Sequence, residues 1–548
     1  MVLSYIRKHY SDTTLRRSPE KAEKDKTLGV GPLSMPYNRW LMFPAAFIFQ
    51  AICGSLYAWS VFNDPIDTEL FGKDPGAKVA KQEKAAVTFY LAVGFFGLSA
   101  AINGPWLERV GPRKASLVGT FLFFLGNMIA SIGIHFKLIG LIYFGYGVVG
   151  GSGLGLCYIS PVSALQKWFP DRRGLAAGFA VCGFGAGSIA LAKVPLPLYK
   201  AIGLTNTFIT LGCAYFAVMF VCCLIFRVPP PGFTVNGMDI YRNKVDSNGD
   251  IEAFNADRAH ASVINPASTL SLIDSIFSKE YRLIYLMFFG NSIAGLVFLS
   301  RLSNIVTNVF GRSSDTAATI VAINGGFNLG GRLFFSTASD RLGRKNSYIF
   351  MLIAQVVILA SLPTIMEAGN YPAFLAVIWI LTACYGGGFG CIPAFLCDMF
   401  GPTNIGALHG IILTAWAIAG VGGGLLFTAV YNNLIANGYT AASVWVYAKN
   451  LYWILAVACL GFVFVLFVRT SIRDRLLPAA PGEWLRIRFF GRLIRVGSSG
   501  FKVLTKDEED AEWSAYVNSR ASPDTLQEVE PSPEKYVGGQ KAEYEETK

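Results

Sequence analysis

The stretch NGGFNLGGRLFFSTASDRLGRK (324–345) decides how the chain is read. It reads as the second half of a membrane-spanning helix followed by a short basic turn. Arg332 stands inside the apolar part. Eight residues on, the cluster Asp340, Arg341, Arg344, Lys345 marks the water boundary. At about 1.5 Å of rise per residue, Arg332 lies about 12 Å inside that boundary, near mid-depth of a hydrocarbon core about 30 Å thick. A guanidinium at that depth costs about 3 kcal/mol or more unless it faces a cavity, a partner or a ligand.

The composition agrees with a membrane reading. The 548 residues are 53% hydrophobic and 15% charged, with a mean hydropathy of +0.44, where a soluble domain carries about 25% charge. Apolar blocks of about 20 residues or more alternate with short charged turns, the pattern of a polytopic helical protein embedded in a lipid bilayer. The net charge of +11 gathers in alternate loops. There it acts as a topology signal, so no nucleic-acid partner is implied. All ten cysteines fall in apolar blocks and fit neither a zinc spacing nor a disulfide framework. GSGLG (151–155) sits mid-span with no strand before it. It therefore reads as small residues for close helix approach and not as a nucleotide loop. With no Ser/His/Asp set, metal cluster or phosphate loop, the expectation is a protein that is not an enzyme and takes no cofactor and no metal.

Residues 1–39 read as a disordered arm. Spans are expected at about 40–62, 85–107, 115–136, 138–166, 174–199 and 206–227, forming an N-terminal bundle over 40–227. A polar linker, 228–280, opens with three prolines. Six more spans follow near 281–310, 315–338, 346–368, 371–399, 405–432 and 449–469, forming a C-terminal bundle over 281–469. The tail, 470–548, contains EWLRIRFFGRLIRV (483–496), read as a basic amphipathic segment on the inner leaflet. From about residue 505 the tail is acidic and reads as disordered. Basic loops after spans 2, 4, 8 and 12 put both termini and the linker in the cytosol. No signal peptide is read, and the default address is the plasma membrane, with an organelle membrane as the alternative. The functional unit is expected to be a monomer.

The halves repeat. ERVGPRK (108–114) after span 2 matches DRLGRK (340–345) after span 8, and GGSGLG (150–155) in span 4 matches GGGFGC (386–391) in span 10. Such a repeat places a shared site between the halves near the midplane.

The loops GPWLERVGPRK and STASDRLGRK resemble the loop motif of the major facilitator superfamily. The resemblance implies an all-α fold of twelve membrane helices in two pseudo-symmetric six-helix bundles. It also implies a gating role for Glu108, Arg109, Arg113, Asp340, Arg341 and Arg344. Within the superfamily, RWLMFPAAFIFQAICGSLYAWSVF (39–62) and WFPDRRGLAAGFAVCGFGAG (168–187) resemble the oxalate:formate antiporter and monocarboxylate transporter branch. The resemblance covers residues 39–227 and 281–469. Two departures matter. Where the antiporter group joins the span-8 arginine with a span-11 lysine, this chain has Trp416. Where the animal monocarboxylate transporters place an aspartate one turn before that arginine, it has Asn328, and residues 41–62 hold no lysine.

The residues themselves nominate a site. Arg332 can hold a carboxylate bidentately, and Asn328 lies one turn away on the same helix face. Tyr57, Trp59, Tyr158, Tyr385 and Trp416 offer hydroxyls and indole N–H groups as cavity walls. Lys193 and Arg301, in the outer halves of spans 5 and 7, are possible second cations. Asp398 and His409 are possible proton carriers, with a salt-bridge gate as the alternative. The expected function is secondary transport of a small organic anion by alternating access, as an exchanger or a proton symporter. The alternatives are a carrier of neutral solutes and a non-transporting nutrient sensor on the same fold.

Overall fold

Gly111 and Gly343 turn the chain at matching points of the two repeats. With φ of 84° and 87°, each ends one helix and starts the next, a backbone shape that glycine adopts without strain. The computed structural model describes residues 2–16, 25–28, 35–72, 84–191, 193–240, 271–299, 301–489, 491–498 and 500–520.

The first half holds span 1 (Arg39–Ala58), span 2 (Ala86–Val110), span 3 (Pro112–His135), span 4 (Ile139–Trp168), span 5 (Arg173–Ala190) and span 6 (Leu204–Ile225). The second holds span 7 (Lys279–Leu299), span 8 (Ser314–Leu342), span 9 (Arg344–Glu367), span 10 (Tyr371–Phe400), span 11 (Ile405–Ala436) and span 12 (Val444–Phe467). Among the described residues, nine of these are long and apolar enough to cross a membrane by themselves; spans 5, 7 and 8 are not. Span 7 opens with Lys279, Glu280 and Arg282, span 5 is rich in glycine, and span 8 carries Asn324, Asn328 and Arg332. Spans 5 and 8 pack against each other at the seam between the halves, and span 2 packs against span 11 at its other side. Small residues let the backbones approach: a Cβ on Gly104 would sit 2.5 Å from Ala407 Cα.

Several boundaries differ from the expected ones. Span 5 stops at Ala190, and a separate helix, Pro195–Ile202, follows, because Pro195 opens a new first turn in place of continuing the old one. Span 7 ends at Leu299, and Leu302–Asn304 and a π-helical turn over Ile305–Val309 follow. In span 1 the motif GSLYA forms a tight 3-10 turn, Gly54–Ala58, before the helix resumes over Ser60–Phe71.

The arm is also more ordered than expected over residues 2–16. It carries the helix Val2–Ser11, tied down because Arg109 donates to the carbonyls of His9 and Asp12 at 2.9 and 2.8 Å. Part of the linker, 241–270, lies outside the described residues. Its end forms a short helix, Leu272–Phe277, capped by Ser271.

A second compact unit begins at Arg469. Strands β1 (Glu483–Phe489), β2 (Arg492–Gly497) and β3 (Gly500–Val503) form an antiparallel sheet. Here the structure corrects two expectations. The segment 483–496 is a pair of strands, and three of its four arginines are spent inside the unit. Arg488 pairs with Asp474 and Glu509 at 2.6 Å each, and Arg486 pairs with Glu483 at 2.6 Å. Arg495 pairs with Glu512. The acids beyond residue 505 are likewise not disordered up to residue 520. They form the helix Lys506–Arg520, which buries Trp513 against Leu476 and Leu477. Residues 521–548 lie outside the described residues.

Candidate functional site

Arg332 is 1% exposed. Its position follows from span 8 running between span 5 of the first half and span 10 of the second. Nε donates to Asn328 Oδ1 at 2.9 Å, one turn back on the same helix. Nη1 donates to the Val181 carbonyl of span 5 at 2.8 Å. The guanidinium carbon lies 5.7 Å from the ring centre of Phe184 and 5.1 Å from that of Phe389, so it is held between aromatic faces. Among the described residues no carboxylate pairs with this cation.

Around it stands a set of aromatic side chains drawn from both halves. The Tyr57 and Tyr385 hydroxyls are 3.3 Å apart, and Trp416 Nε1 donates to the Tyr385 hydroxyl at 3.2 Å. Phe184 touches Tyr57 and Tyr158, with ring centres 4.9 and 5.5 Å apart. Phe96 lies against Tyr158 and Trp416. The hydroxyls of Tyr57, Tyr158 and Tyr385 all lie within electrostatic reach of the guanidinium. The ring of fully buried His409 lies 5.7 Å from that of Tyr158.

Other nominated residues fall elsewhere. Trp59 is not brought to Arg332. It sits just after the 3-10 turn, donates Nε1 to the Ala85 carbonyl at 3.0 Å and packs on Tyr146 at 4.3 Å. Lys193 lies past the end of span 5 and is exposed. Arg301 lies past the end of span 7, bonded to Thr428 at 2.6 Å with its charge over the Phe427 ring. Phe184, Phe389 and Phe96 were not nominated by the sequence, where a phenylalanine in an apolar span carries no distinguishing signal.

The basic loops meet at one end of the bundle. Asp398 of span 10 accepts from Arg173 Nη1 and from Arg344 Nε, both at 3.0 Å. Arg344 also reaches Asp340 at 2.6 Å. Asp340 accepts the backbone N–H of Gly174 at 3.1 Å. In the other repeat Glu108 pairs with Lys167 and accepts the backbone N–H of Gly406 at 2.6 Å. Arg113 reaches the Leu224 carbonyl at 2.8 Å, and Arg341 is exposed. Ties from Arg173 and Gly174 to the second half, and from Glu108 to Gly406, join the two halves at this end.

A family profile, Major Facilitator Superfamily, matches residues 78–424. The chain belongs to that superfamily. It is 24% identical over 392 residues to an uncharacterized MFS-type transporter of Escherichia coli (strain K12), covering 71% of this chain and 88% of that one. It is 24% identical over 405 residues to the oxalate:formate antiporter of Oxalobacter formigenes, covering 72% and 86%. Apicoplast pyruvate carrier 1 of Toxoplasma gondii is 24% identical over 392 residues, covering 64% and 70%. Among solved structures, a proton:xylose symporter superposes with a TM-score of 0.56 at 14% identity, covering 80% of this chain and 96% of that one. The fold is therefore the twelve-helix, two-bundle fold of the superfamily, and the protein is a membrane transporter of small-molecule solutes and not an enzyme.

Proposed function

We propose that this transporter carries a small organic anion of the monocarboxylate type by alternating access, with Arg332 holding the carboxylate. The observation that carries this reading is a buried guanidinium, 1% exposed, with no carboxylate partner among the described residues. A buried cation needs an anion, and Nη2 with the remaining Nη1 hydrogen offers a planar donor pair to one. Asn328 holds Nε and so fixes the fork. Tyr57, Tyr158, Tyr385 and Trp416 close around the anion with hydroxyl and indole donors. The relatives named for oxalate, formate and pyruvate support this substrate class.

With Lys193 exposed and Arg301 held by Thr428, Arg332 stands as the single site cation among the described residues, which favours a monoanion over a dianion. Asp398 serves as the gate acid between Arg173 and Arg344, and not as a proton carrier. The two repeats of the loop motif latch the cytosolic end, with both termini on that side of a plasma-membrane protein that works as a monomer. The anion is exchanged or moves with a proton.

Uptake of labelled lactate, formate and oxalate into proteoliposomes tests this, with wild type beside Arg332→Gln. Uptake of the monoanions that is lost in the variant supports the reading; full uptake by the variant overturns it. Dependence on internal anion identifies exchange, and dependence on the pH gradient identifies proton symport.

A further inference from the structure

Three polar side chains from three helices are buried beside the Arg332 cluster with hydrogen-bonding atoms left over. Tyr158 of span 4 has no partner for its hydroxyl; His409 of span 11 has none for either ring nitrogen; Gln50 of span 1 has none for Oε1. All three are nine-tenths buried or more, with Gln50 and His409 at 0% exposure. They belong together. Gln50 Nε2 donates to the Tyr158 carbonyl at 2.9 Å, and the Tyr158 and His409 rings lie side by side. The Tyr158 hydroxyl lies within reach of the Arg332 guanidinium. Both Tyr158 and Arg332 lean on the same ring, Phe184.

Buried polar atoms in folded proteins are paired, and a cluster left unpaired marks a place where a polar ligand atom or water belongs. The cluster has a phenol that donates or accepts, an imidazole that does one at each nitrogen, and an amide oxygen that accepts. That set suits a hydroxyl or a carbonyl oxygen. It does not suit a second carboxylate, because no cation is part of it. It also spans the seam, with Tyr158 and Gln50 from one half and His409 from the other.

We propose that Tyr158 and His409, backed by Gln50, form a second polar subsite that takes the oxygen on carbon 2 of the transported anion. The carrier therefore selects 2-hydroxy and 2-oxo monocarboxylates over their plain counterparts. This rests on the carboxylate reading of Arg332. Tyr158 and His409 are specificity residues in it: Arg332 fixes one end of the solute, and this pair reads the neighbouring oxygen. A site built to hydrogen-bond such an oxygen rejects an analogue lacking it far more strongly than an apolar pocket rejects a small change in size.

Lactate and propionate differ only by that oxygen. The test is the ratio of their kcat/KM values in proteoliposomes for wild type, His409→Leu, Tyr158→Phe and His409→Gln. The expected wild-type ratio favours lactate by about tenfold or more. His409→Leu is expected to bring it to about one by lowering lactate uptake while propionate uptake persists, which also shows that the variant folds; Tyr158→Phe is expected to narrow the ratio. His409→Gln, which keeps a donor and an acceptor, restores part of the preference. A wild-type ratio near one, or variants that lower both substrates equally, overturns the subsite while leaving Arg332 in place. Wild type that carries neither acid, or propionate uptake unaffected by Arg332→Gln, overturns the carboxylate reading and the subsite with it.

Discussion

The Glu108 carboxylate of span 2 accepts the backbone N–H of Gly406 at 2.6 Å, at the start of span 11 in the other half. Asp340 of span 8 does the same to Gly174 at the start of span 5, at 3.1 Å. Each half thus caps a helix N-terminus of its partner with a carboxylate, where the free N–H groups and the helix dipole favour negative charge. Glycine is what lets the carboxylate in. A Cβ on Gly406 would stand 2.7 Å from Glu108 Oε1 and 2.7 Å from the Leu107 side chain. Gly406→Ala is therefore expected to push the carboxylate off the helix end without removing any charge. The lost charge-assisted bond is worth about 1.5–3 kcal/mol, enough to raise the open population at this end by tenfold or more. Spin labels on the exposed positions Lys114 and Arg341 should show a longer distance component; an unchanged distribution would sink the latch.

Asp398 holds two arginines at once, Arg173 from the first half and Arg344 from the second. Asp398→Asn leaves both cations facing each other with weaker acceptance between them. Breaking a buried pair from one side costs about 3–5 kcal/mol, and part of that loss falls on the closed state alone. The expected result is faster thiol labelling of a cysteine placed at the buried Ile405, near this end, with substrate affinity at Arg332 little changed. If labelling stays at the wild-type rate, Asp398 is a structural acid and not a gate. Arg344→Gln should repeat the effect, since the Asp340 bond is lost with it.

How much of this was legible in the chain differs by residue. Arg332 was, because a charge inside an apolar run can only be tolerated with a reason. The repeat was, because the turn after each of spans 2 and 8 needs its glycine. The pairing of Glu108 with Gly406 was not, since nothing in either stretch names a partner about 300 residues away. Trp59 was misplaced for a definable reason. Residue type alone nominated it, but two residues on from Tyr57, at about 100–120° per residue, its side chain lies on the opposite side of the chain axis. In the tail, the alternation of EWLRIRF was visible as a period of two. The change of register marked the reversal into β2, and TKDE (505–508) held a helix-start signature that the acidic run obscured.

That signature yields a pH prediction for the second unit. Thr505 Oγ1 accepts from the Glu508 N–H at 3.3 Å, and Glu508 accepts the Thr505 N–H at 2.9 Å. A hydrogen bond from Lys502, reinforced by that backbone N–H, holds the Glu508 carboxyl down from 4.5 to about 2. A lowered acid contributes stability that is complete above its unfolded value and is lost as pH falls through its folded value. The start of the helix Lys506–Arg520 should therefore loosen between about pH 4.5 and pH 2. Hydrogen exchange of the full-length protein, corrected for intrinsic rates, should show faster exchange at residues 505–509 in that window. Lys502→Ala should raise the lower end of that window and shrink the change across it; a change unaltered by Lys502→Ala would mean that Lys502 does not hold this carboxyl down.

Two tryptophans give the last prediction, because both lose one indole hydrogen bond on substitution but only one stands at the site. Trp59 is 1% exposed and bonds to the Ala85 carbonyl, among Tyr146, Phe62 and Phe208. Trp416 is 2% exposed and bonds to the Tyr385 hydroxyl, which faces Tyr57. Trp59→Phe removes a buried hydrogen bond, while the Ala85 carbonyl keeps the Thr88 N–H at 3.1 Å, for a loss of about 0.5–1.5 kcal/mol of stability. It should lower the melting temperature and leave KM within about twofold of wild type. Trp416→Phe carries a similar stability loss but also frees the Tyr385 hydroxyl, and should change KM for the transported anion by about fivefold or more. Thermal melts and uptake kinetics on the two purified variants separate these effects. A KM shift in Trp59→Phe equal to that in Trp416→Phe would place Trp59 back in the substrate path, against the geometry that sets it in the packing between spans 1, 4 and 6.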